Sequence, residues 1–125
     1  MMLLTVDEIM GLHTKMVART GGSDGLRDKG LLESAVLSAQ SSFGDREIYP
    51  DIRQKAARLM YALVSNHAFV DGNKRIGVLA MLMTLKCNGI KLRYTQTELI
   101  ALGLAVAAGN ASYGDILDWI RVHHT

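Results

Sequence analysis

The stretch from Asn73 to Lys86 limits the possible folds more than any other. From Ile76 to Leu85 it is apolar on nearly every side, and a helix without a polar face has to be surrounded by other elements. We therefore expect it to be the helix against which the rest of the chain packs. Its partners are legible as amphipathic helices. Thr5 with Glu8 forms a capping-box pattern, and Val6, Ile9, Met10, His13, Met16 and Val17 follow at helical spacing until Gly21-Gly22 stops the run. Asp28 can cap a second helix, about Lys29 to Ser41, with Leu32, Ala35, Val36 and Ala39 on one face. A third begins at Asp51, just after the one proline, Pro50, with Gln54 three residues on. Its stripe of Ile52, Ala56, Leu59, Met60, Leu63 and Val64 leads to His67. Asn88-Gly89 closes the fourth helix, Ile90 to Tyr94 reads as short and extended, and Thr95 with Glu98 caps a fifth. Ser112 opens a last helix carrying Ile116, Leu117 and Ile120, and the connection from Ser42 to Tyr49 has room for a small hairpin. These signals add up to an all-α fold, a bundle of about six helices with at most a minor hairpin.

Size and charge narrow the class. A chain of 125 residues, 49% hydrophobic, is one domain's worth and can bury about two thirds of its unfolded surface in one core. The net charge is only +2 and the 14 basic residues are spread along the chain, which does not make a nucleic-acid footprint. A single cysteine, Cys87, excludes an internal disulfide and a Cys-based zinc cluster. Acidic residues fall within the first eight positions, with no basic flank before an apolar run, so the start does not read as a signal peptide. The longest apolar run, Val78 to Met83, is too short to span a bilayer. Cytoplasm is the expected location.

The chemistry is concentrated in His67-Ala68-Phe69-Val70-Asp71-Gly72-Asn73-Lys74-Arg75. His67 falls at the end of the third helix, where the negative end of the helix dipole favours a proton on the ring, which suits a general base. Asp71 is placed to hold Mg²⁺ against a polyphosphate. Gly72 lets the backbone approach an anion without a Cβ in the way. Asn73 can cap the fourth helix and direct its first N–H groups into the same loop. Lys74 and Arg75 then stand in the first turn, where their charge opposes the dipole and calls for an anion. Phe69 fits a structural plug that fixes the loop. Any one of these residues alone is a common cap or turn, but a turn requires neither a base before it nor a Lys-Arg pair after it, so together they indicate phosphate handling. The other candidates have plainer explanations. His13 sits on an apolar stripe as a core residue, and His123 and His124 lie in a fraying terminus without matching ligands. The methionines fill the core. Gly21 to Gly25 lacks the Gly-Lys-Ser/Thr ending of a phosphate loop and reads as a plain connection.

The nine-residue motif resembles the signature of the Fic/Doc superfamily, and specifically that of the death-on-curing (Doc) toxins of toxin–antitoxin modules. The Leu26-Arg27-Asp28-Lys29-Gly30-Leu31-Leu32-Glu33-Ser34 segment and the overall length match Doc-like proteins as well. Fic enzymes transfer AMP to protein hydroxyls through His-Pro-Phe-x-Asp/Glu-Gly-Asn-Gly-Arg-x-x-Arg. Here Ala68 replaces the proline, Lys74 the second glycine, and Val78 the second arginine. A glycine leaves room for an α-phosphate against the backbone, whereas Lys74 fills that space with a cation. In Doc toxins the same lysine goes with reversed ATP and phosphoryl transfer, so the resemblance implies phosphorylation of a threonine of elongation factor Tu, with ATP and Mg²⁺, and a block of translation. It also implies that His67 deprotonates the hydroxyl and that Asp71 holds Mg²⁺ or orients His67. Gly72, Asn73, Lys74 and Arg75 would grip the phosphates, and the Ser42 to Tyr49 flap would dock the target. Arg27 is a further candidate for the pocket. The Ser/Thr-x-x-x-Glu-Gly/Asn sequence of self-inhibited relatives is not found, so restraint would come from an antitoxin whose disordered segment folds on binding. An AMP transferase and a non-enzymatic nucleotide- or ribosome-binding module are the alternatives.

Overall fold

The computed structural model describes residues 1–125. The chain runs α1 (Val6–Thr20), α2 (Lys29–Ser38), β1 (Ser42–Phe43), β2 (Arg46–Glu47), α3 (Ile52–Asn66), α4 (Asn73–Cys87), α5 (Gln96–Ala107) and α6 (Tyr113–His123). The fold is all-α with one small antiparallel hairpin, in the register Ser42 to Glu47 and Phe43 to Arg46. Five of the six helices start on a capping side chain: Thr5, Asp28, Asp51, Thr95 and Ser112. In four of these the residue three positions on caps back, so two otherwise orphaned N–H groups are satisfied at once.

Helix α2 ends three residues before the expected Ser41. The chain tightens there: Gln40 N donates to the Leu37 carbonyl at 2.9 Å and Ser41 N to the Ser38 carbonyl at 3.3 Å, each three residues back, and the Ser41 carbonyl then accepts from Ile48 N at 2.9 Å as the hairpin begins. The centre also differs from expectation, being a helix pair rather than α4 alone. Helix α3 packs on α2, α4, α5 and α6, while α4 packs on α3, α5 and α1. Gly77 sets the α3–α4 approach, since a Cβ there would lie 2.5 Å from Val64 Cγ2 and 3.2 Å from the Met60 carbonyl oxygen. Ile9, Leu32, Leu63 and Ile76 fill the space toward α1 and α2, and Met60, Met81, Leu102, Ile116 and Ile120 the space toward α5 and α6. The remaining apolar side of α4, Val78 and Leu82, is only partly covered and lines a groove of about 410 Å³ against α1 and α5. One cation is buried: Lys55 Nζ reaches the Ala39 carbonyl at 3.2 Å and Glu47 Oε2 at 3.6 Å, tying the hairpin to the core. No helix is long and apolar enough to cross a membrane.

The C-terminal end is not frayed, contrary to expectation. His123 ends α6, stacks on Trp119 at 4.1 Å, and has Nδ1 2.7 Å from the Trp119 carbonyl and Nε2 2.8 Å from Glu98 Oε2. A carbonyl only accepts, so the proton on Nδ1 is assigned by its partner. The bond from His123 pushes Glu98 down to about 2, and Glu98, with the Trp119 carbonyl, raises His123 above its ordinary value. The histidine's share of stability is complete below its ordinary 6.5 and is lost as pH rises through the raised value. The glutamate's share is complete above its ordinary 4.5 and is lost as pH falls toward about 2. Comparing melting temperatures of wild type and His123→Gln across pH should therefore give the largest difference between pH 4.5 and 6.5, narrowing on both sides. A difference independent of pH would remove the pair from the account.

Candidate active site

The loop between α3 and α4 begins and ends on left-handed residues. His67, the C-cap of α3, has φ 53° and ψ 49° and is the one non-glycine residue with positive φ. Gly72, at φ 79°, is the N-cap of α4. Histidine is among the residues that tolerate this region better than most, but a positive φ outside glycine is uncommon and has to be held by its surroundings. Arg27 does the holding: its Nε donates to the His67 carbonyl at 2.7 Å and its Nη2 to the Asn66 carbonyl at 3.4 Å. The segment around Arg27 is laced to the loop, with Arg27 N and Asp28 N donating to the Ala68 carbonyl at 2.8 and 2.9 Å and Val70 N to the Gly25 carbonyl at 3.1 Å. With the backbone fixed, the His67 side chain is left exposed to solvent.

Asn73 departs from expectation. Gly72 takes the cap position, and the Asn73 side chain turns back to clamp Phe69, accepting from its N–H and donating to its carbonyl, both at 3.0 Å. A carboxamide offers one acceptor and donors in a single plane, which matches the two backbone groups of one residue. As a result α4 has no side-chain cap. Its first hydrogen bond runs from Ile76 N to the Gly72 carbonyl at 2.9 Å, so the N–H groups of Asn73, Lys74 and Arg75 precede the ladder at the positive end of the helix. Phe69 is buried as expected and stacks on His13.

His67, Asp71, Gly72, Asn73, Lys74 and Arg75 line one cleft of about 380 Å³. The Asp71 carboxylate accepts from Ser23 N at 3.1 Å and Gly72 N at 2.8 Å, and lies 3.8 Å from Arg75 Nη2. The Ser23 N–H first, then that of Gly72, with Arg75 adding a smaller share, hold its carboxyl below the ordinary range, so it is ionised at neutral pH. Arg75 Nη1 also donates to Thr20 Oγ1 and, at 2.9 Å, to the Gly21 carbonyl. Lys74 is exposed, pairs with no acidic group, and passes along α5 at Gly103, where a Cβ would lie 3.5 Å from Lys74 Cγ. Lys74 and Arg75 also wall the neighbouring apolar groove.

The connection from Gly21 to Gly25 is more than a plain link. It supplies an N–H to Asp71 and a carbonyl to Arg75, and Gly22 leaves the room they need, since a Cβ there would lie 2.5 Å from Asp71 Oδ2. Two glycines in succession, where one suffices to stop a helix, were the available signal.

Comparison with known proteins supplies the family. The Fic/DOC family description matches residues 3–85. The chain belongs to the Fic/DOC family. The match runs from α1 through most of α4 and takes in every residue that lines the cleft. Among curated relatives, "Protein kinase doc" of Escherichia phage P1 is 29% identical over 118 residues, 94% of this chain and 92% of that protein. "Toxin Doc" of Mycolicibacterium smegmatis is 43% identical over 72 residues, 58% of this chain and 55% of that one.

Proposed function

We propose that this chain is the toxin of a toxin–antitoxin module and that it phosphorylates a hydroxyl of a target protein from ATP. The observation that carries this is the uncapped start of α4, which lines one cleft with His67 and Asp71 and carries two cations in its first turn. Free N–H groups, a helix dipole, Lys74 and Arg75 suit a polyphosphate tail, and an imidazole at the cleft wall suits a hydroxyl nucleophile. The names of the relatives, a kinase and a toxin, point the same way.

In this reaction His67 takes the proton of the hydroxyl, the new O–P bond forms to the γ-phosphorus, and the bond to the β–γ bridging oxygen breaks to release ADP. Lys74 and Arg75 balance charge on the transferred group. Asp71, ionised and half exposed, offers one carboxylate. No group of three or more acidic, His or Cys side chains stands near enough to cage a metal, which suits Mg²⁺, an ion held by one or two carboxylates with the remaining positions filled by phosphates and water. When bound, Mg²⁺ supplies neutralisation of phosphate charge. The apolar groove beside Lys74 and Arg75 suits the uncharged end of a nucleotide. The hairpin leaves main-chain groups free along two short strands and carries Phe43, 82% exposed, which suits a target segment added as a further strand. By resemblance the target is a threonine of elongation factor Tu, and the partner that restrains the toxin is a cognate antitoxin.

The test is to incubate the purified protein and Mg²⁺ with bacterial lysate and ATP labelled at either the γ or the α phosphate. Label from the γ position should enter a protein band, and label from the α position should not. Transfer of the α label would make the chain an AMP transferase, and transfer of neither would make it a binding module.

A further inference from the structure

We infer that His13, on α1 and outside the signature, is a positioning residue for the phosphate cleft, holding the Asp71–Gly72 peptide so that its N–H side faces the cleft. The inference rests on the phosphate-handling function proposed above. His13 is 0% exposed, in an apolar stripe between Ile9 and Met16. Its Nε2 lies 2.7 Å from the Asp71 carbonyl oxygen. That oxygen can only accept, so the partner assigns the proton to Nε2.

A trans peptide carries its C=O and its N–H on opposite sides. Drawing the Asp71 carbonyl onto α1 therefore turns the Gly72 N–H away from α1, where it donates to Asp71 Oδ1 at 2.8 Å. One bond from α1 thus sets both the peptide plane and, through it, the carboxylate. Gly72 is pressed against the same helix, since a Cβ there would lie 2.9 Å from Met16 Cε and 3.5 Å from His13 Nε2. The ring is itself fixed. It stacks on Phe69 with centroids 3.9 Å apart and planes 12° from parallel, and Phe69 is the residue clamped by Asn73. On its other edge Nδ1 faces Asp24 Oδ1 at 3.4 Å but makes no hydrogen bond. Asp24 is held by Thr14 Oγ1 and Gly25 N at 3.3 and 2.9 Å. An imidazole buried with one nitrogen unsatisfied is a poor choice for filling a core, and the bond it makes with the other nitrogen is directed at the loop that lines the cleft.

The test compares wild type, His13→Leu and His13→Gln by amide NMR and by titration with ATP and Mg²⁺. Leucine fills the space without a donor, whereas the glutamine amide N–H can reach the same carbonyl. In His13→Leu the Gly72 and Asn73 amide resonances should shift and the affinity for ATP should fall roughly tenfold, as for a lost bond that leaves a buried carbonyl unpaired. In His13→Gln both should return toward wild type. Unchanged resonances and affinity in His13→Leu would overturn the inference alone. So would a His13→Gln that melts like wild type yet restores neither. A wild type that itself fails to bind ATP would overturn the proposed function, and this inference with it.

Discussion

Replacing His67 with alanine should lower transfer of the γ label by about 10²- to 10⁴-fold, the usual contribution of a positioned general base. Affinity for ATP should stay close to wild type, because the N–H groups proposed to meet the phosphates belong to α4 and the His67 side chain makes no hydrogen bond to the protein. The backbone contact from Arg27 goes to the His67 carbonyl, which alanine retains. One side effect is foreseeable. At φ 53° alanine is strained by roughly 1 kcal/mol in the left-handed region, so the variant should also melt somewhat lower. His67→Asn supplies the control, since asparagine enters that region more easily but cannot act as the base. It should lose transfer as fully as alanine while melting nearer to wild type. Undiminished labelling by both variants would take the imidazole out of the reaction.

A second large effect is expected from a residue outside the signature. In Gly22→Ala the new methyl would stand 2.5 Å from Asp71 Oδ2 and 2.9 Å from Arg75 Nη2, at a φ of 108°. The atoms it meets are the ends of side chains, so the fold can survive by moving them. What moves is the carboxylate and the guanidinium of the cleft. Misplacing catalytic groups by about 1 Å costs on the order of 10²-fold in rate, and that is the expected loss. Gly109→Ala, at φ 79° with nothing within 4 Å of the new methyl, introduces backbone strain far from the cleft and should leave turnover intact. Equal turnover in Gly22→Ala and wild type, measured on folded protein, would show that Asp71 and Arg75 need not be held where they stand.

Most of the helix starts were legible because a capping side chain and its reciprocal partner are local: Thr5 with Glu8, Asp51 with Gln54, and Thr95 with Glu98 each lie within one turn. The elements of the cleft were legible for the same reason, since His67 to Arg75 are contiguous. What escaped was long-range. Nothing near Asn73 in sequence says that its carboxamide would close on Phe69 rather than cap α4. The bond from Ser23 to Asp71 spans 48 positions and that from His13 to Asp71 spans 58, and periodicity alone made His13 one more core residue. His123 looked loose because its partner, Glu98, stands 25 positions away on another helix.

With no side chain at Gly77, α3 and α4 come to backbone contact, and the turn joining them is anchored on this pair. Regions that open readily are those with few buried contacts, and this turn has a tightly packed base instead. Undoing the turn would mean melting the centre of the molecule, so the cleft it carries does not come and go with local opening. Under the function proposed above, a partner that restrains this chain would do so with the turn still folded.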